Sequence, residues 1–337
     1  MIKIYTQKSY FTENNRKVLF PLFLDLVYLK DAKATHLFEV VDEIQKADIA
    51  IIPLTINYFI ENKREQELND FINSCLLNGK RVWGYTGGDR GLSYRKDITI
   101  FRLGGLQSKL DANNEILPSF VTDPYTYCLD FEFEVLNKTD KPSIGFVGNA
   151  NNDFKEFLKE LGINWYFNVK YLWNKSVGDY QPFYASGLTR YKLLKKIESS
   201  NKLNCNFIYR DKYRAGARTE EEIRITTYQF FENIAQNLFT ICIRGAGNFS
   251  VRFYETLVMG RIPVFIATDA KLPLENFIQW DKHCVFTTKA NVEKDVLAFY
   301  NSKSEAELQE IQIANRNLAL NLLNKVDYFY HLAQSQK

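Results

Sequence analysis

Short apolar runs alternate with amphipathic stretches through the first hundred residues. The apolar runs predict buried strands at residues 2–6, 47–54, 81–85 and 98–103. Residues 37–46 and 64–78 have helical spacing, and Gly79 stands where a glycine commonly ends a helix. Strands that alternate with helices are typical of a parallel sheet with crossover helices.

The pattern is interrupted at residues 113–142, which contain three prolines and have no clear period. It then resumes. Strands are predicted at residues 143–147, 206–209, 238–243, 262–268 and 283–288. Helices are predicted at residues 191–199, 220–237, 250–259 and 304–323, the last with Ser304 as its N-cap.

Two successive α/β patterns joined by a proline-bearing linker predict two Rossmann-like domains with a cleft between them. We expect residues 1–135 to form the first domain. Residues 141–317 are expected to form the second. A C-terminal helix at about 318–337 is expected to pack back on the first domain.

Composition narrows the functional classes. Forty-three basic and 40 acidic residues leave a net charge of +3, which gives no support to a nucleic-acid partner. Five widely spaced cysteines without a CxxC pair suggest reduced thiols rather than zinc or disulfides. The N-terminus reads as a strand and not as a signal peptide. We therefore expect a cytoplasmic protein and leave a peripheral membrane association open.

The most informative segment is the loop at residues 243–255. A predicted strand ends at Arg244, two glycines follow, and a helix begins near Ser250. A glycine-rich loop that opens onto a helix N-terminus favours phosphate, because free N–H groups and the helix dipole both attract anions. Arg244 and Arg252 add positive charge, and an arginine fork matches phosphate oxygens. Glu255 shares a helix face with Arg252 and could accept hydrogen bonds from a ribose.

Spacing alone leaves other interpretations open. Gly-x-Gly is a weak signal, and Arg252 with Glu255 could form an ordinary surface ion pair. A nicotinamide-binding loop fits poorly, because the third glycine of that fingerprint is missing and a basic residue leads the loop.

The sequence resembles the exostosin family, the family 47 glycosyltransferases. The pattern Arg-Gly-x-Gly-x-x-Ser-x-Arg-x-x-Glu, followed by Gly-Arg-Ile-Pro-Val, Leu-Pro and Trp-Asp-Lys, carries this resemblance. The matching positions are Arg244, Gly245, Gly247, Ser250, Arg252, Glu255, Gly260, Pro263 and Val264.

Looser matches lie outside that loop. Gly87-Gly88-Asp89 looks like the family's Gly-x-Asp-His element, and Arg190 looks like the arginine near the start of its second domain. Arg90 stands where the family usually has histidine, which puts in doubt a proton transfer by that residue. Arg261 replaces a common cysteine. The good resemblance covers roughly residues 141–288.

The resemblance implies a GT-B fold, with the first domain on the acceptor side and the second binding the donor. It also implies an inverting transfer from a nucleotide diphosphate sugar, usually UDP-linked. Arginines and a helix N-terminus could neutralise the leaving diphosphate, so no cofactor and no required metal are expected. Asp89 is the candidate base, with Asp123 as a weaker alternative. The predicted catalytic residues are Asp89, Arg244 and Arg252. The predicted donor-binding residues are Arg190, Arg244, Gly245, Gly247, Asn248, Ser250, Arg252 and Glu255.

Some residues received a less specific interpretation. Arg210 directly follows a predicted strand and could face the cleft, but a solvated arginine is the expectation. Trp165, Tyr166 and Trp173 are expected in loops, where aromatic rings could stack on sugars.

The expected function is glycan assembly for surface polysaccharide or lipopolysaccharide. The partners would be a nucleotide-sugar donor and a glycan or lipid-linked glycan acceptor, with no nucleic acid. The alternatives are a GDP-fucose-type fucosyltransferase and a non-catalytic glycosyltransferase-like subunit.

Overall fold

The computed structural model describes residues 1–173 and 178–335. Its named strands form two sheets. The strands are β1 (Ile2–Tyr5), β2 (Phe38–Val41), β3 (Ile49–Ile51), β4 (Arg81–Tyr85), β5 (Thr99–Arg102), β6 (Asn114–Ile116), β7 (Ser143–Asn149), β8 (Asn204–Arg210), β9 (Phe239–Cys242), β10 (Ile262–Ile266) and β11 (Val285–Thr287).

Helices connect these strands and cover both sheets. They are α1 (Pro21–Phe23), α2 (Ala32–Leu37), α3 (Ile56–Glu61), α4 (Glu65–Leu77), α5 (Phe154–Trp173), α6 (Ser186–Glu198), α7 (Glu220–Gln236), α8 (Val251–Val258), α9 (Val292–Asn301), α10 (Glu305–Asn321) and α11 (Lys325–Ser335). A π-helical segment, Leu24–Leu29, continues α1.

The first sheet has the order β2-β1-β3-β4-β5-β6, with every neighbouring pair parallel. The second has the order β11-β10-β9-β7-β8 and is also parallel. Two Rossmann-like sheets with crossover helices confirm the predicted α/β fold class of GT-B type. In the second sheet the strand order reverses between β7 and β9, which is where open α/β sheets leave a ligand-binding crevice.

The last helix returns to the first sheet. Phe329 of α11 packs against Phe20 and Phe101 with ring centroids 5.0 and 5.3 Å away. The Tyr328 hydroxyl donates to the main-chain oxygen of Ile116 at 2.7 Å. The same buried cluster includes Phe253 of α8, so one apolar core runs from the first sheet through α11 to the second half of the chain.

Several predicted elements agree with the structure. The predicted helix 64–78 is α4, and Gly79 after it has a φ of +68°. Ser304 caps α10, and its hydroxyl accepts from the Glu307 N–H.

The helix predicted at residues 37–46 is wrong. Phe38–Val41 forms β2, which pairs in parallel with β1, and the helix α2 ends just before it. Several elements were not predicted. Among them, β6 lies in the segment interpreted as a linker, and α5 carries the aromatic residues that were expected in loops.

Within the described ranges, no helix combines the length and the apolar character that crossing a bilayer requires.

Candidate functional site

The candidate site lies at the carboxyl edge of the second sheet, where the strand order reverses. β7 and β9 end side by side there, and the glycine loop that follows β9 leads into α8. Loops after adjacent strands diverge at such a point and leave a crevice between them. The arginines singled out from the sequence project into this region.

Arg190 of α6 spans the gap between the two strands. Its Nη1 donates to the Asn149 main-chain oxygen at 3.3 Å, and its Nη2 donates to the Arg244 main-chain oxygen at 3.0 Å. Its Nε is buried and has no acceptor among the described residues. Burial and the charge of Arg252 lower the pKa of Arg190 to about 10, so the folded chain disfavours this cation.

Arg252 lies in the first turn of α8 and points toward the end of β7. Its Nη2 donates to the Val147 main-chain oxygen at 2.6 Å, and its guanidinium carbon lies 4.2 Å from the centre of the Phe146 ring. Its buried Nε has no acceptor in the described part of the chain. Burial lowers the pKa of Arg252, and the nearby Glu255 carboxylate partly opposes that effect.

Arg244 and Arg210 complete the group. Arg244 donates from Nη2 to Gln181 Oε1 at 3.0 Å, and its guanidinium lies 4.7 Å from the Tyr184 ring centre. Arg210 ends β8 and donates to the Thr226 main-chain oxygen at 2.8 Å. It is only 8% exposed, so the expectation of a solvated arginine was wrong. Burial lowers the pKa of both arginines, and for Arg210 the charge of Arg252 adds to this.

Arg190, Arg210, Arg244 and Arg252 are hereafter the arginine cluster. The ion pairs formed within residues 1–173 and 178–335 all use other cations. Buried guanidinium groups that form no ion pair are costly, and proteins normally pair them. The cluster is therefore chemically suited to an anion that carries several oxygen acceptors.

The glycine loop touches the first domain at Gly247. A Cβ built on Gly247 would lie 2.5 Å from the Asp89 main-chain oxygen and 2.9 Å from Asp89 Cβ. Gly245 is less constrained, because its Cβ would meet Arg190 Nη2 at 3.5 Å, an ordinary contact. Neither glycine has a positive φ. The requirement for glycine at Gly247 is thus steric and is imposed by the facing domain.

Gly247→Ala should lower the free energy of unfolding by about 1–3 kcal/mol, because the new methyl group overpacks a contact that has no room for it. Calorimetry would measure this. Gly162→Ala is the control: Gly162 lies inside α5 with open space around its Cβ position. That change should raise stability by roughly 0.5–1 kcal/mol. A Gly247→Ala protein as stable as the wild type would contradict the proposed contact.

Asp89 faces the glycine loop from the first domain. It follows β4, is exposed, and lies close enough for its charge to raise the pKa of Tyr85, after the larger effect of burial on that tyrosine. Arg90, where a histidine was expected, turns away: its Nη1 donates to Asn168 Oδ1 at 2.7 Å, and it stacks on Phe167. Asp89 is thus the acidic side chain of this turn.

Asn248 joins the two domains. It is 1% exposed, and its Nδ2 lies within hydrogen-bond distance of the main-chain oxygens of Gly105, Thr268 and Asp269. Its Oδ1 accepts from the Thr268 hydroxyl at 2.8 Å. These hydrogen bonds engage the amide group of Asn248. It therefore holds the glycine loop against the first domain rather than pointing toward a ligand.

Ser250 and Glu255 lie at the start of α8. Ser250 is the N-cap residue as predicted, but its side chain makes no capping bond; its main-chain oxygen accepts from the Phe253 N–H at 3.1 Å. Glu255 is partly buried one turn later.

No sequence pattern pointed to Gln181, which links the two sides of the cleft. Its Oε1 accepts from Arg244, and its Nε2 lies 3.5 Å from the Arg90 main-chain oxygen. Asp123, the weaker base candidate, is held by Arg316 at 2.6 and 3.1 Å. That bidentate ion pair gives Asp123 a structural role in the segment between the domains.

No group of three or more His, Cys, Asp or Glu side chains within the described ranges is arranged to hold a metal ion.

Comparison with protein families identifies the segment that holds the arginine cluster. Residues 177–302 match the family model of the Exostosin GT47 domain. The match includes the glycine loop and α8, and it leaves out the first sheet. The predicted family resemblance is confirmed for this segment.

Curated relatives match shorter stretches. A probable glucuronosyltransferase of Oryza sativa subsp. japonica is 37% identical over 65 residues, 19% of this chain and 16% of that protein. A probable β-1,4-xylosyltransferase of Arabidopsis thaliana is 39% identical over 71 residues, 21% of this chain and 16% of that protein. The chain thus matches a small part of each relative. Among solved structures, the crystal structure of CalG4, the calicheamicin glycosyltransferase, covers 100% of this chain and 99% of its own at 11% identity, with a TM-score of 0.31.

Proposed function

We propose that this protein, whose residues 177–302 carry an Exostosin GT47 domain, is an inverting glycosyltransferase that uses a nucleotide diphosphate sugar. The observation that carries the proposal is the arginine cluster, which has no ion-pair partner within the described ranges and lies at the switch point of a parallel sheet. Relatives named as glucuronosyl- and xylosyltransferases support sugar transfer as the reaction class.

The diphosphate of the donor would bind in the arginine cluster. The buried Nε–H groups of Arg190 and Arg252 could donate to its oxygens, and the free N–H groups at the start of α8 face the same region. Because a bound anion would bring negative charge into direct contact with the guanidinium groups, it should favour the charged form of both arginines. The family resemblance favours UDP as the nucleotide, and Glu255 is the proposed ribose contact.

Transfer would then proceed in one displacement. The acceptor hydroxyl attacks the anomeric carbon while Asp89 takes its proton, and the bond from that carbon to the diphosphate oxygen breaks. The negative charge that develops on the leaving diphosphate is stabilised by Arg244 and Arg252. We propose that these arginines do the work that a divalent metal does elsewhere, so that transfer needs no cofactor.

We also propose the acceptor class and the setting. The acceptor is a glycan, and a lipid-linked glycan suits a reaction at the cytoplasmic face of a membrane, in surface polysaccharide or lipopolysaccharide synthesis. The exposed aromatic residues of α5, next to the cleft, support a membrane-side acceptor.

A nucleotide screen tests the donor proposal. UDP at 100 times its dissociation constant should stabilise the folded protein by about 2.7 kcal/mol, which calorimetry or dye-based melting detects as a rise in Tm. UMP should raise the Tm less, because it has one phosphate fewer for the arginines. EDTA should leave the UDP effect unchanged. If no nucleotide raises the Tm, the proposed donor site is wrong. If EDTA abolishes the rise in Tm, the proposal that transfer needs no metal is wrong.

The same screen separates the alternatives. A preference for GDP would favour the fucosyltransferase-type donor. Binding without transfer or hydrolysis of any nucleotide sugar would favour a non-catalytic subunit. Arg90 keeps the latter alternative in view, because it replaces the expected histidine and is engaged with α5.

A further inference from the structure

Helix α5 presents an apolar stripe to solvent. None of its 20 residues is buried. Residues spaced by four and three along one face are large, apolar and exposed, with Trp165 at 68% and Leu172 at 75%. The members of this outward stripe are Phe154, Leu158, Leu161, Trp165 and Leu172. An exposed apolar face of this kind on an ordered helix marks an interaction surface.

Lysines and interfacial aromatic residues occupy the rest of the solvent-facing surface of α5. Lys155 and Lys170 are exposed and form no ion pair with any residue the structure describes. Tyr166 and Trp173 lie one heptad apart beside them, with Trp173 at 85% exposure. Tryptophan and tyrosine favour the boundary between water and lipid headgroups.

The side of α5 next to the stripe is fixed to the cleft. Asn168 accepts from Arg90 and donates to the Gln181 main-chain oxygen at 2.9 Å. The Glu160 carboxylate accepts from the Ser186 hydroxyl at 2.6 Å, at the start of α6. Glu160 is thus directed away from the stripe. Glu156 is paired, because its carboxylate lies 3.2 Å from the Lys159 amine.

We infer that α5 lies on an anionic lipid surface, with the outward stripe in the headgroup region and Lys155 and Lys170 against lipid phosphates. A helix with an apolar stripe, basic flanks and interfacial aromatic residues has the properties of an in-plane membrane helix. A second copy of the chain is a poorer occupant, because two-fold pairing of the same face would bring unpaired lysines toward lysines.

Docking in this orientation places the Asp89 turn beside the bilayer, because Arg90 is bonded directly to α5. If the proposed function holds, the acceptor side of the cleft would receive a glycan carried on a lipid. This consequence rests on the proposed function, whereas the docking itself does not.

Vesicle flotation tests the docking with the full chain and no nucleotide. The wild type should float with mixed phosphatidylcholine and phosphatidylglycerol vesicles and much less with phosphatidylcholine alone. Trp165→Glu with Leu172→Glu should abolish flotation. Lys155→Glu with Lys170→Glu should weaken it by about fivefold or more for each lysine. The matched control is Leu77→Glu with Ile225→Glu, which changes equally exposed apolar residues on other helices.

Three outcomes would overturn the inference: a wild type that stays unbound with anionic vesicles, a control that loses as much binding as the stripe variant, or a dimer by light scattering that only the stripe variant breaks. Unchanged circular dichroism of each variant shows that it is folded. Vesicle binding without sugar transfer would support the docking and weaken the proposed function, so the two failures are distinguishable.

Discussion

Arg252→Lys should lower the rate of sugar transfer by about 10²–10³-fold, the cost of losing one preorganised donor to a developing anion. Lysine keeps the charge but lacks the planar fork, so it cannot hold the Val147 main-chain oxygen and a phosphate together. A transfer assay with labelled donor measures the rate. The rise in Tm caused by UDP should shrink in parallel.

Arg261→Lys is the matched control. Arg261 is also buried, and burial lowers its pKa to about 10, as it does for Arg190. Its guanidinium, however, bonds to the main-chain oxygens of Ala235 and Glu134 and to Gln312 Oε1. Its replacement should therefore lower the Tm of the free protein and leave the UDP-induced rise intact. Equal effects of both variants on transfer would remove the special role of Arg252.

The arginine cluster shows what a sequence can and cannot reveal about a site. Only a few residues separate Arg244, the glycine loop and Arg252 in the sequence. Their local spacing was enough to place them where a strand ends and the next helix begins. Arg210, at the end of β8, is instead held in its buried position by Thr226 and Gln229 of α7. No local pattern encodes that packing.

The errors of the fold prediction have similar physical causes. The segment before residue 46 mixes apolar and charged residues at helical spacing, but pairing with β1 makes Phe38–Val41 a strand, so tertiary contacts override the local period. Helix α5 was missed because many of its apolar residues face outward, while its polar residues Asn164 and Asn168 face the protein. A pattern that is reversed in this way does not read as a core helix.

Asp89→Asn should lower kcat by about 10²–10⁴-fold. Asp89 is the acidic side chain that the first domain brings to the cleft at the contact with the glycine loop. Asparagine preserves the size of the side chain but cannot take a proton from the acceptor hydroxyl. Because Asp89 touches the loop through its main chain and Cβ, the substitution should leave the contact with Gly247 in place. UDP should therefore still raise the Tm by the wild-type amount.

Asp179→Asn is the control variant, because it tests a structural role at the rim of the cleft rather than a catalytic one. Asp179 pairs with the buried Arg102 at 2.8 Å and accepts from the Ser93 hydroxyl, so its change should lower the Tm and slow transfer only modestly. Asp89→Asn should do the reverse: it should leave the Tm unchanged and slow transfer strongly. If Asp89→Asn keeps the wild-type kcat, the base lies elsewhere, and the Gly87–Gly91 turn serves only to seat the glycine loop against the first domain.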